Sequence, residues 1–498
     1  MIESLVHGFI NVWMWPAILY MMVGMIIGLV IGAIPGLGGN FTLAVLIPFV
    51  FNMEPSLALP FLLGAHAVVA TGGSITAILL NTPGSGMNAA TTFDGFPLTQ
   101  KGQGGRALGN ALTASAMGGV FGAIVLAASL PIMRKIVLAF GPTEFFMMTI
   151  LGISFIAVVG KGSLFKALIV GCFGLLVSLI GYDPITGVIR YSFGTLYLYD
   201  GIDLIPVIMG LFAITEMIAL AVKGGTIQQE VVMEGKSGVL DGVKDVFRNW
   251  WLTLRCSSIG AFIGMIPGLG GTVACFVAYG HAAQSSKYPE KFGTGVVEGV
   301  IAPEAANNAK EGGSLIPTLG FGIPGSSGMA ILLGAFLIIG IQPGPEMLTT
   351  KLNITFLMVW TVAIANIFGA LLALLVAKRL VKIAQVRASL LVPIVIIIAL
   401  VGSYTVDYSF NSLIVTVIFG IIGYQMKKYN FSRAVFIIGL VLGNIAEKNF
   451  HLSVMLYGGS FIMRPITLLL LALTIITLVL PFIRLGRKNN PKGDNKIS

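Results

Sequence analysis

Gly32-Ala33-Ile34-Pro35-Gly36-Leu37-Gly38-Gly39-Asn40 interrupts an apolar run, and Gly264-Met265-Ile266-Pro267-Gly268-Leu269-Gly270-Gly271-Thr272 does so again 232 residues later. The shared word Ile-Pro-Gly-Leu-Gly-Gly opposes helix. Proline lacks the backbone donor and clashes with the preceding turn, and the glycines weaken the next turn. Irregular backbone survives in a bilayer only where protein buries it or it lines a cavity. A broken helix in each half of one chain points to a transporter binding site.

Further words come after each copy in the same order. Gly72-Gly73-Ser74 and Asn81-Thr82-Pro83-Gly84-Ser85-Gly86 succeed the first; Gly312-Gly313-Ser314 and Gly322-Ile323-Pro324-Gly325-Ser326-Ser327-Gly328 succeed the second. Gly72 to Pro83 spans 11 residues and Gly312 to Pro324 spans 12; Pro35 to Pro83 spans 48 and Pro267 to Pro324 spans 57. An ordered set of words reads as a duplicated unit. Ile75–Thr82 would rise about 12 Å as helix, under half the hydrocarbon core. It is therefore expected to be a re-entrant segment turning at Pro83-Gly84-Ser85, with Ser314–Pro324 repeating it.

Of the 498 residues 56% are hydrophobic and 10% charged, with mean hydropathy +0.94. Charge normally makes up about a quarter of a soluble domain. Runs such as Pro16–Ile31, Ala107–Leu130, Phe165–Ile180, Phe356–Ala377, Leu390–Val401 and Pro465–Phe482 have the scale of membrane crossings. The fold class is an all-α polytopic membrane protein. About 11–12 crossings are expected, in two repeats, of inverted topology or else parallel, with broken helices and re-entrant segments. The formal charge of +10 sits in short loops, as cytoplasmic connections require, so no nucleic-acid partner is expected. Cys172, Cys256 and Cys275 show no CxxC spacing, and the four histidines are scattered, so neither a disulfide framework nor a metal cluster is expected.

Residues 1–15 read as an interfacial helix with Trp13 and Trp15 at headgroup level. The expected organisation is an N-terminal repeat over 1–222, a cytoplasmic connector over 223–252, a C-terminal repeat over 253–430, and terminal helices with a basic tail over 431–498. Crossings are expected near 107–130, 136–159, 165–182 and 203–222. Basic clusters at Lys378, Arg379, Lys382 and Arg387, at Lys427, Lys428 and Arg433, and over Arg484–Lys496 can all face the cytoplasm.

Neither repeated word carries the Lys-Ser or Lys-Thr of a phosphate loop, so ATP hydrolysis by this chain is not expected. Ser85 and Ser326 resemble nucleophile turns, with His66 or His281 as a base; an intramembrane enzyme or a channel is the alternative reading. The binding reading places Ser74, Ser85, Ser314, Ser326 and Ser327 as caps of resumed helices, whose ends attract anions. Asn40 or Thr42 is expected to cap the helix resuming at Phe41. Candidate solute ligands are Asn40, Ser74, Asn81, Thr82, Gly84, Ser85, Asn307, Asn308, Ser314, Gly325, Ser326 and Ser327. Candidate cation-binding or coupling residues are Gly36, Gly38, Gly268, Gly270, Thr272 and Glu304. The four breaks hold no Asp, Glu or His, which favours Na⁺ over H⁺; Glu304 is the place a proton could ride. Asp94 reads as a loop residue. No catalytic residue and no cofactor beyond Na⁺ or H⁺ is expected.

At these words the chain resembles the large membrane subunit of the tripartite tricarboxylate transporter family (TctA). The likeness rests on Pro35-Gly36-Leu37-Gly38-Gly39-Asn40, on Gly72 through Gly84, and on Phe93-Asp94-Gly95-Phe96-Pro97-Leu98. In the second half it rests on Ala302-Pro303-Glu304-Ala305-Ala306-Asn307-Asn308-Ala309 and Leu319 through Ser326. The resemblance implies a cation-coupled importer of small organic acids in a bacterial cytoplasmic (inner) membrane. It also implies two partners, a periplasmic solute-binding protein and a small TctB-like membrane subunit. Ser85 departs from the family, which often carries an acid there.

Overall fold

Proline disfavours helical geometry in the residue before it, and both repeated words break where that rule puts the break. In the computed structural model Ile34 (φ −82°, ψ 117°) and Ile266 (φ −89°, ψ 112°) are extended and end their helices. Gly36 and Gly268 both have φ +85°, a left-handed conformation that costs a side-chain-bearing residue about 1–2 kcal/mol. The structure describes residues 1–159, 164–183, 185–223, 238–383 and 388–488.

The helices in chain order are α1 (Ile2–Trp13), α2 (Ala17–Ala33), α3 (Gly39–Leu46), α4 (Pro55–Leu80), α5 (Ala89–Gln100), α6 (Gly104–Leu138), α7 (Pro142–Val159), α8 (Leu164–Ser178), α9 (Leu204–Ile208) and α10 (Thr215–Lys223). They continue with α11 (Val239–Arg248), α12 (Trp250–Met265), α13 (Gly270–Ser285), α14 (Val297–Phe321), α15 (Ser327–Ile338), α16 (Leu352–Ile383), α17 (Ala388–Asp407), α18 (Phe410–Lys428), α19 (Arg433–Tyr457) and α20 (Pro465–Lys488). A π-helical stretch over Met209–Ile214 joins α9 to α10. Among the described residues seven helices are long and apolar enough to cross a membrane, or eight if the bent pair α1 and α2 is one span. Four shorter apolar helices stand beside them. The interfacial helix expected over 1–15 is α1.

The chain divides into two compact units, residues 1–138 with 202–429, and residues 139–201 with 430–498. These units are not the sequential segments read from the sequence. Residues 139–201, assigned there to the N-terminal repeat, cluster with the C-terminal helices. In this second unit a hairpin pairs Gly181–Tyr182 with Ile189–Arg190. Arg190 holds Glu447 at 3.1 Å through its second nitrogen. The Ile185 amide and the Thr186 hydroxyl hold the Asp183 carboxyl down, to about 2.

The first unit contains the repeat. Gly28 and Gly32 of α2 face the carbonyls of Ala65 and Val69 of α4; Gly260 and Gly264 of α12 face those of Ala306 and Lys310 of α14. Gly72 meets Leu29 as Gly313 meets Ala261. Gly84 packs on Gly32 and Gly73, and Gly325 on Gly264 and Ser314. Asn81 and Gly322 each end their helix in the left-handed region, at φ 54° and 67°. The Thr82 amide bonds Thr76 O at 3.2 Å, as Ile323 bonds Pro317 O at 3.2 Å. The duplication is therefore structural, but its register differs from the sequence reading by one residue: Gly72-Gly73 matches Gly313-Ser314. Gly72 to Pro83 and Gly313 to Pro324 then both span 11 residues.

Two expectations are corrected. The chain does not break at Gly72-Gly73-Ser74 or at Gly312-Gly313-Ser314; α4 and α14 run through them unbroken for 26 and 25 residues. The short re-entrant segments expected over Ile75–Thr82 and Ser314–Pro324 are instead the last turns of α4 and α14 and the tips that follow them. Glycine costs helix about 1 kcal/mol relative to alanine, but here it lets neighbouring backbones touch, and that packing outweighs the propensity. Residues 224–237 of the connector expected over 223–252 lie outside the described residues. Its described part is α11, whose Asp245 takes Arg106 of α6 at 2.6 and 3.1 Å. Arg387 and the tail beyond 488 also lie outside them.

Candidate functional site

The two halves meet by exchanging parts. Asn40, after the first break, donates to Ser327 Oγ at 2.9 Å, at the start of α15. The corresponding pair lies against each other too, Gly86 beside Thr272. Break of one repeat on tip of the other, twice, is what a two-fold relation produces. Gly36 N bonds Gly84 O at 3.0 Å, so each tip also leans on its own break. The helices that begin here are α3 at Gly39, α13 at Gly270, α15 at Ser327, and the turn at Gly86–Asn88 leading into α5.

The expected ligands divide into three groups. Asn40, Ser326 and Ser327 are at the junction. Ser326 caps α15, accepting from Met329 N at 3.4 Å, while Ser85 donates instead to Asn88 Oδ1 at 3.0 Å. Asn81 is exposed, and Thr82 turns back to Leu80 O at 3.1 Å; neither is drawn in. Gly84, Gly325, Gly36, Gly38, Gly268, Gly270 and Thr272 shape the breaks and tips.

The others are corrected. Ser74 and Ser314 cap nothing, being mid-helix. Asn40 and Thr42 are not caps either: α3 begins from Gly38 with no side-chain cap, and Thr42 Oγ1 bonds back to Gly38 O at 3.2 Å. Asp94 is no loop residue. It is a buried residue of α5 that accepts from the amides of Gly293, Gly295 and Val296 at 3.0, 2.7 and 2.9 Å, and from Tyr279 Oη at 2.9 Å.

Glu304 sits inside α14 with no exposure. Ser74 and Thr91 donate to its Oε1 at 2.7 and 2.6 Å, and Ser115 to its Oε2 at 2.8 Å. Four helices, α4, α5, α6 and α14, thus converge on one carboxylate. Among the described residues no Lys, Arg or His pairs with it. The three hydroxyls satisfy its oxygens, and an isolated buried charge is costly, so ionising this group calls for a cation that none of these partners supplies.

Two turns further along α14 the opposite holds. Glu311 lies between Lys310 Nζ at 2.8 Å and His66 Nε2 at 3.1 Å, all three buried. Asn308 donates to Asn366 Oδ1 at 2.5 Å, while both side-chain polar atoms of Asn307, Oγ of Ser314 and Nδ1 of His66 have no partner. Thr91, Ser115, Lys310 and Glu311 were missed by the sequence reading, which considered His66 only as a base for a serine. Asn307, Lys310, Glu311 and Ser314 do recur at helical spacing, a signal hidden by the break expected at Gly312. The ground for preferring Na⁺ also falls away, since titratable side chains reach the breaks from α4 and α14. His66 is engaged with Glu311 rather than with a serine.

A polytopic helical membrane protein with two broken helices and buried, unanswered polar groups where they meet is of the transporter class. Residues 18–438 match the model of the tripartite tricarboxylate transporter TctA family, and the chain belongs to that family. It is thus the large membrane component of a tripartite system, which also comprises a binding protein and a small subunit; it is a transporter and not an enzyme. It is 31% identical over 487 residues, 94% of each chain, to an uncharacterized 52.8 kDa protein in the TAR-I ttuC' 3' region of Agrobacterium vitis. It is 32% identical over 224 residues, 44% of this chain and 93% of the other, to an uncharacterized protein in the TAR-II ttuC' 3' region of the same organism. No solved structure matches.

Proposed function

We propose that this chain imports small organic acids, tri- or dicarboxylates or related carboxylates, across a bacterial cytoplasmic membrane. A periplasmic binding protein delivers the solute, and a monovalent cation, Na⁺ or H⁺, drives the step. The observation that supports it best is Glu304, a membrane-depth carboxylate held by three hydroxyls and matched by no cationic side chain among the described residues. Such a group calls for a mobile cation. Solute would bind where the breaks and tips exchange contacts, between Asn40, Ser326, Ser327 and Asn307, with the two repeats rocking about them.

Reconstitution in liposomes tests this with citrate as the solute. Labelled citrate should accumulate by counterflow, which a channel or a protease cannot produce. Imposing a Na⁺ gradient at constant pH, and then a pH gradient without Na⁺, identifies the ion. Glu304→Gln carries no charge to neutralise, so it should keep counterflow and lose the cation-driven accumulation. Accumulation that survives Glu304→Gln would remove Glu304 from the coupling site.

A further inference from the structure

Lys310 and Glu311 are neighbours on α14, and adjacent helix residues ordinarily point apart. Here their charged ends meet at 2.8 Å, and His66 closes on the other carboxylate oxygen at 3.1 Å. Lys310 also donates to Ser326 Oγ at 3.2 Å. Ser326 is the cap of α15, a helix of 12 residues, whose first amides carry partial positive charge. Three anion-attracting groups therefore converge: an ammonium, an imidazole and a helix N-terminus. One carboxylate, that of Glu311, meets the first two, and the α15 end is linked to them through Lys310 and Ser326.

The surroundings hold more donors and acceptors than Glu311 uses. Asn307 and Ser314 lie one turn from Lys310 and Glu311 on the same face of α14. Both are buried with side-chain atoms unpartnered, as is Nδ1 of His66. Buried polar atoms without partners are rare. The position also touches both repeats: the Lys310 chain lies beside Gly271, and the His66 ring beside Gly39 and Gly328.

We propose that Lys310, His66 and the N-terminus of α15 form the subsite for a solute carboxylate, and that Glu311 occupies it as an internal substitute until solute arrives. This rests on the organic-acid reading above and assigns its residues. An entering carboxylate replaces Glu311 on Lys310, so the ammonium is never left without an anion. Asn307 and Ser314 then bond the remainder of the solute. Because the groups span both breaks and one tip, the exchange is felt by both repeats at once.

Chemical rescue tests it without knowing the solute. Glu311→Ala vacates the position, and formate is the smallest carboxylate that can refill it. In purified full-length protein, formate should raise the Tm of Glu311→Ala by ~2 °C or more over matched chloride. The parent and the double variant Lys310→Met/Glu311→Ala should not respond. An equal response in all three, or none in Glu311→Ala, overturns the proposal. Should Glu311→Ala not fold, Glu311→Gln is read instead: its neutral side chain leaves the Lys310 ammonium uncompensated, and citrate should stabilise it more than the parent. An equal effect on both overturns the proposal. Counterflow is scored separately: rescue without transport keeps the subsite and sinks the importer, and transport without rescue does the reverse.

Discussion

Glu304 and Glu311 lie seven residues apart on one helix and are answered differently. Glu311 has two basic side chains; Glu304 has only hydroxyls. Ser115 donates to Glu304 Oε2 at 2.8 Å. Ser115→Ala should strip that oxygen of its partner and cost about 1–3 kcal/mol, the range for an unsatisfied buried acceptor. Denaturation of the purified protein would measure it. A loss confined to cation-driven uptake, with stability unchanged, would mean that water replaces the hydroxyl at no cost. Ser74 holds the carboxylate more redundantly, because Thr91 also donates to Glu304 Oε1, at 2.6 Å.

The pairs α2 with α4 and α12 with α14 are built alike, and the glycines between them separate two physical roles. Gly72 and Gly313 have no room, since each faces backbone of the partner helix. Gly36 has nothing within 4 Å but a φ of +85°. Gly72→Ala and Gly313→Ala should therefore push helices apart and destabilise by similar amounts, roughly 1–3 kcal/mol each by the scale of overpacking. Gly36→Ala should cost about 1–2 kcal/mol through backbone strain alone. Tm shifts of the three variants provide the comparison. Strongly unequal losses at 72 and 313 would contradict the one-residue register that pairs them.

At the scale of the whole molecule, the reciprocal contacts between breaks and tips lie where the proposed rocking of the two repeats would act. Cysteines placed at 85 and 326, in a chain whose Cys172, Cys256 and Cys275 have been replaced, report it. A membrane-impermeant thiol reagent applied from each side should label the two tips differently with and without the cation gradient. Labelling from one face only, under every condition, would count against alternating access.

Composition and the two Pro-Gly words by themselves determined that this is a helical membrane protein, duplicated and with broken helices; the family was legible only as a resemblance at longer words in both halves. Those conclusions rest on local rules: apolar length, the missing proline donor, and left-handed glycine. The same rules misread Gly72-Gly73 and Gly312-Gly313 as breaks, because propensity says nothing of a neighbouring backbone close enough to need the space. Glu304 was legible as an acid among apolar residues, but its three hydroxyl partners come from α4, α5 and α6, up to 230 residues away in sequence. His66 and Glu311 stand 245 residues apart. Only tertiary packing decided which buried charges are matched and which are not, since burial and pairing are set by elements that no local pattern brings together.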